Sequence, residues 1–216
     1  LIMGKEKIVY VGGFEMPDKN AAAHRVLNIG KILESTGKTV VYIGIIKSKS
    51  IDTEILSTYE KINEFDCFSV GYPTKYTEWI RYLSSAQKYI EVIEHIGDVS
   101  GVVFYNFPSI AMKNLMKYCR KYGIKCYADV TEWYSGKGRG VLWGIVKTFD
   151  TWYRMRILHK KMDGMIVISR YLETYYRKLP KMARIPVLAD LCDSKWENHY
   201  EKSTDVLKLV YAGLPQ

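Results

Sequence analysis

Two carboxylates and two aromatic rings fall within one short segment of this chain, D-V-T-E-W-Y, as Asp129, Glu132, Trp133 and Tyr134. Paired carboxylates suit general acid–base work or the holding of hydroxyl groups, and aromatic faces stack on sugar rings. A charged loop with buried aromatics is the plainer account of the same residues. Gly12-Gly13 follows an apolar run and precedes a helical pattern. Backbone without a Cβ lets a phosphate approach, and the following helix offers free N–H groups and a positive dipole end, worth about 0.3–1 kcal/mol per exposed interaction. The G-x-G-x-x-G spacing is absent, so glycines that serve only a turn are the alternative. His24 and Arg25 stand in the first turn of that helix, where the guanidinium fork fits phosphate oxygens; a solvated surface pair is the other reading. Asn106 and Ser169-Arg170 end two further apolar runs. Cys67, Cys119, Cys126 and Cys192 form no C-x-x-C pair, and no Cys or His spacing suits a metal.

These residues need a frame, and the apolar pattern supplies one. Residues 7–11, 39–46, 66–70, 101–105, 125–129, 165–168 and 185–189 read as strands rich in β-branched residues. Between them, residues 21–35, 77–96, 108–122, with Pro108 in the first turn, 141–161 and 171–178 carry helical periods, and 53–61 suggests a short helix. Alternation at this spacing demands parallel pairing, because each helix is the crossover between neighbouring strands. The expected fold is α/β, a Rossmann-like, doubly wound, mainly parallel sheet. Ligands then bind at the carboxyl ends of the strands, where Gly12-Gly13, Asn106, residues 129–134 and Ser169-Arg170 fall.

The organisation expected is a domain over 4–190, a polar linker over 191–206, and at 207–216 the first strand of a second domain, since L-K-L-V-Y has little of its own to pair with. Pairing at the edge of the first sheet is the alternative for that strand. Leu1 and Ile2, ahead of a candidate initiator Met3, stand outside the fold argument.

The chain has 216 residues, 48% hydrophobic and 25% charged, so global disorder is excluded as a description. Its net charge of +9 favours anionic partners without choosing among them. The cysteines read as reduced thiols and no secretory signal or spanning run is visible, so a cytoplasmic protein is expected. Residues 141–161 mix Trp143, Trp152 and Tyr153 with Lys147, Arg154, Arg156, His159, Lys160 and Lys161. Such a helix could rest on an anionic membrane surface, at the inner face. The ordinary reading has Leu142, Val146, Phe149 and Tyr153 pointing inward over the sheet, and the two are compatible.

The chain resembles the retaining family 4 glycosyltransferases of the GT-B fold over nearly its whole length. The likeness rests on I-V-Y-V-G-G at 8–13, N-A-A-A-H-R-V-L-N-I-G-K-I-L at 20–33, D-V-T-E-W-Y at 129–134, I-S-R-Y-L-E-T-Y-Y at 168–176, I-P-V-L-A-D at 185–190 and L-K-L-V-Y-A-G at 207–213. It implies two Rossmann-like domains across a cleft, the first on the acceptor side and the second holding a nucleotide-sugar donor. No cofactor beyond that co-substrate, no metal and no nucleic acid is expected. Gly12, Gly13 and Arg25 would meet the donor phosphates. Asp129 and Glu132 would be the catalytic candidates, and His24, Asn106, Trp133, Tyr134, Ser169 and Arg170 would meet a saccharide or lipid-linked acceptor. Cell-surface polysaccharide synthesis is the role implied, and 1–216 alone would be inactive. Two positions depart from the family pattern: Asn20 or Ala21 stands where its first helix has glycine, and a histidine that many members carry near the fourth-strand loop is missing. A non-catalytic Rossmann-like domain that binds an anion or nucleotide is the rival reading, and a nucleotide-sugar epimerase a third.

Overall fold

A computed structural model describes residues 6–17, 19–131, 141–179 and 181–186, for 141–143 the backbone alone. Eight strands form one sheet in the order β3-β4-β2-β1-β5-β6-β7-β8. They are β1 (Lys7–Gly12), β2 (Thr39–Ile46), β3 (Glu60–Ile62), β4 (Phe65–Gly71), β5 (Val99–Tyr105), β6 (Lys125–Val130), β7 (Gly164–Val167) and β8 (Met182–Arg184). All pair in parallel except β3, which runs antiparallel to β4. The fold is therefore the Rossmann-like, mainly parallel α/β sheet expected.

From β1 the chain moves outward to β2 and β4, then returns to lay β5 on the other flank of β1. That reversal puts the crossovers on opposite faces. Helix α1 (Ala21–Ser35) covers one face, packing Val26 and Ile29 on Tyr10, Phe14 and Tyr42. Gly30 admits the Tyr42 ring against the helix, since a Cβ there would lie 1.7 Å from the phenol oxygen. The larger core, on the opposite face, holds Val11, Ile43, Phe104, Met112, Leu115 and Met155. It is roofed by α3 (Gln87–Ile96), α4 (Ser109–Lys121), the end of the helix that α5 (Val141–Tyr153) begins, and α6 (Arg170–Tyr175).

Four elements differ from the sequence expectation. Residues 53–61 hold a single 3-10 turn, Leu56–Thr58, and then β3. Asn63 and Glu64 both take positive φ, 48° and 69°, and close a two-residue hairpin into β4. That turn usually advertises itself as Asn-Gly or Asp-Gly, and glutamate conceals it. Residues 77–96 form two helices, α2 (Tyr76–Ser84) and α3, because Ser85 is extended and its Oγ accepts from the Gln87 N–H at 3.3 Å. Residues 141–161 are α-helical only to Tyr153 and continue as a π turn, Arg154–Leu158, and a 3-10 turn, His159–Lys161. The last strand among the described residues is β8, ahead of the expected 185–189; Ile185 adds one bond to Val167 O at 2.9 Å, and 187–189 lie outside the described residues. The linker and second-domain expectations, 191–206 and 207–216, lie there too.

Candidate functional site

The point where strand order reverses lies between β1 and β5, and there an open parallel sheet forms its ligand crevice. Gly12 pairs with Tyr105 across it, and a Cβ on Gly12 would fall 2.1 Å from the Tyr105 carbonyl oxygen. Only glycine lets the two strand tips close so tightly. The Gly13 N–H donates to Tyr105 O at 3.3 Å, yet a Cβ on Gly13 would have just one neighbour within 4 Å among the described residues, Asn106 O at 3.8 Å. Gly12 is thus required by packing, whereas Gly13 borders open space. Asn106 turns the chain at the β5 tip with φ 43°. The structure accordingly brings Gly12, Gly13 and Asn106 together at the switch point.

One strand further on, Asp129 sits opposite Tyr105 at the end of β6. Residues alternate along a strand, so Tyr127 and Asp129 share the α1 face, and α1 carries Arg25 over them. Separate duties are expected of the two from sequence, a phosphate ligand and an acid–base group; the structure instead joins them in one buried ion pair. The Arg25 Nε donates to both carboxylate oxygens at 3.1 and 3.0 Å and Nη2 to Oδ1 at 2.7 Å. The side chains are 8% and 0% exposed. The Tyr10 hydroxyl donates to Oδ2 at 2.6 Å, and burial, followed by the neighbouring carboxylate, holds that phenol well above its ordinary pKa. Arg25 Nη1 reaches the carbonyls of Ile185 and Pro186 at 3.2 and 3.4 Å. The carboxylate thereby accepts from two side chains and faces no solvent, the condition under which a buried charge is tolerated. In this arrangement Asp129 and Arg25 hold strand tips, helix and chain exit together, and neither presents a charge to solvent.

The remaining residues are spread along the same edge. Asn20 caps α1, accepting from the Ala23 N–H at 2.9 Å, and His24 is exposed one turn in. Ser169 caps α6, accepting from the Leu172 N–H at 3.3 Å, with Arg170 exposed beside it. Glu132, Trp133 and Tyr134 lie outside the described residues. Thr131, which leads into them, has a buried hydroxyl with no partner among the described residues.

Sequence reasoning passes over Tyr10, the third member of the buried cluster, and Glu15. Glu15 lies in the loop after β1, is 8% exposed, and pairs with Lys19 and Lys47, each at 3.5 Å. The period-two alternation that puts Tyr10 on the α1 face is a signal available in the sequence. Nothing local marks Glu15, whose burial comes from a loop folding onto the tip of β2, where Ile45 N–H bonds Phe14 O at 2.8 Å. Among the described residues no group of three His, Cys, Asp or Glu is placed to hold a metal ion.

No family model and no curated protein matches the sequence. Among solved structures, the chain is similar to a sucrose-phosphate synthase from Thermosynechococcus elongatus, with TM-score 0.53 and 10% identity over 85% of this chain and 90% of that one. It is similar also to a UDP-glucose: anthocyanidin 3-O-glucosyltransferase in complex with UDP, with TM-score 0.52 and 10% identity over 86% of this chain and 54% of that one. At such identity the likeness is one of fold. The Rossmann-like sheet is a fold shared with these two proteins.

Proposed function

We propose that this chain is the acceptor-side half of a glycosyltransferase that moves a sugar from a nucleotide-sugar donor to a saccharide or lipid-linked acceptor. Retention of configuration, membership of family 4 and a place in cell-surface polysaccharide synthesis, at the inner membrane face, belong to the same reading. Its main support is the β1–β5 switch point, where Gly13 leaves backbone beside open space in a sheet whose fold is shared with two glycosyltransferases. One of those structures is in complex with UDP.

On this reading the donor diphosphate approaches Gly13, and preorganised donors stabilise the charge that develops on it as the sugar leaves. The second domain, opening at 207–216, supplies most of them, so 1–216 alone does not turn over. Glu132 is the acid–base candidate. Asn106, His24, Trp133, Tyr134, Ser169 and Arg170 meet the acceptor. The Arg25–Asp129–Tyr10 cluster acts through position, fixing the floor of the crevice.

The test uses the protein extended to its natural end, a panel of labelled nucleotide sugars, and Gly13→Ala. Since the added methyl meets nothing among the described residues closer than 3.8 Å, that variant should keep its melting temperature. The donor kcat/KM should fall by at least about tenfold, with the loss carried by KM and kcat little changed. Wild-type protein that neither hydrolyses nor transfers from any donor would sink the reading, as would a Gly13→Ala variant with unchanged kinetics. The anomeric configuration of the product, read by NMR, decides retention.

A further inference from the structure

The outward face of α5 does not match a helix that covers a sheet. Val146 and Phe149, inward on the ordinary reading of the sequence, are 40% and 53% exposed, and Ile145 and Trp152 are 60% and 48% exposed. Positions 145, 149, 152 and 156 follow one helical face, so three large apolar side chains run into Arg156. Phe149 and Trp152 lie side by side, ring centroids 6.1 Å apart.

Charge completes the pattern. The helix and its continuation expose Lys147, Arg156, Lys160 and Lys161. Their one acid, Asp150, is turned inward to the Ser109 N–H at 2.6 Å and to Arg154. The neighbouring α4 exposes Lys113, Lys117, Arg120 and Lys121 and contains no acid. The two helices are joined where Arg120 Nη2 donates to Lys161 O at 3.0 Å. An aromatic stripe that no described residue covers, beside a mainly cationic surface whose nearest exposed acids are Asp163, paired with Lys125, and Glu94, bonded by the Tyr118 hydroxyl, is complementary to an anionic bilayer, where apolar groups enter the acyl boundary and cations meet headgroups. A protein partner for the stripe would need an acidic surface around an apolar centre; a second copy of this chain would set cation against cation.

We infer that α4 and α5 together seat the protein on an anionic membrane surface, with Ile145, Phe149 and Trp152 entering the interface. Asp150 and Arg154 bond to Ser109 and to Phe107 O, just past the tip of β5. The apolar stripe therefore lies at the level of the strand tips and beyond, and the switch-point crevice opens beside the bilayer. An acceptor carried on a lipid reaches such a crevice without leaving the membrane. The seating itself does not depend on the sugar-transfer reading.

Vesicle co-sedimentation tests it, using phosphatidylcholine with and without phosphatidylglycerol. The chain should bind only the anionic vesicles, and high salt should weaken binding by screening. Arg156→Gln/Lys160→Gln/Lys161→Gln should weaken binding about a hundredfold, taking about fivefold per charge near the surface. Phe149→Ser/Trp152→Ser should remove the binding that survives salt. All five positions are exposed, so both variants should keep the wild-type melt. No binding at low salt, or equal binding to neutral vesicles, overturns the inference. So does a wild-type dimer in sedimentation equilibrium that Trp152→Ser dissolves, which would give the stripe to a second copy.

Discussion

Asp129 illustrates how a residue's type can be plain in the sequence while its duty is not. A carboxylate at a strand tip reads as chemistry, but Arg25 lies 104 positions away, and only the fold sets its guanidinium on that carboxylate. Removing one partner of a buried pair leaves the other uncompensated, so Asp129→Asn should destabilise the fold by about 3–5 kcal/mol. Tyr10→Phe, which deletes a hydrogen bond to the charged group, should cost about 1.5–3 kcal/mol. Urea denaturation measures both, and an Asp129→Asn protein as stable as wild type would return this carboxylate to the catalytic candidates. His159 makes a second prediction at this scale. Buried, with Nδ1 2.9 Å from the Tyr176 hydroxyl, it is pushed down to about 3 by burial and by Arg154. Unfolded, it takes a proton near ~6.5, so the unfolded state binds more protons between the two values. Stability is full above ~6.5 and falls toward pH 3, by about 1.4 kcal/mol per pH unit. His159→Gln should shrink the stability difference between pH 7 and 5 by about 2 kcal/mol.

At the scale of elements, legibility follows how locally each boundary is decided. Helix α1 and strand β2 occupy the residues their patterns indicate, 21–35 and 39–46, because Asn20 caps the one and Gly37, with φ 84°, allows the turn into the other. The α2–α3 break and the β3 hairpin are concealed because each turns on residues of unremarkable type, Ser85 in one and Glu64 in the other. Glutamate at φ 69° bears the Cβ strain that glycine lacks. Glu64→Gly should therefore stabilise the protein by about 1 kcal/mol, read as a raised denaturation midpoint with unchanged slope. Gly12→Ala should act in the opposite sense. Its methyl group would overlap the Tyr105 carbonyl, and β1 and β5 cannot pair without moving apart. A marked drop in melting temperature is expected for Gly12→Ala and none for Gly13→Ala, so adjacent glycines separate folding from binding.

For the molecule as a whole, the parallel sheet and its strand-tip edge are legible because strand–helix alternation leaves few other topologies. The outward turn of the α5 face is not, because a helix with apolar residues on two sides does not reveal which side meets the core. Arg25 joins these scales. By holding the carbonyls of Ile185 and Pro186 as well as Asp129, it tethers the point where the polypeptide leaves β8 to the floor of the crevice. A pull on the chain at Pro186 would reach β7 through the Ile185 N–H, and α1 and the β6 tip through the Arg25 guanidinium. With Arg25 shortened to alanine the exit would keep, among the described residues, only its bond to β7, and strain arriving there would no longer reach Asp129.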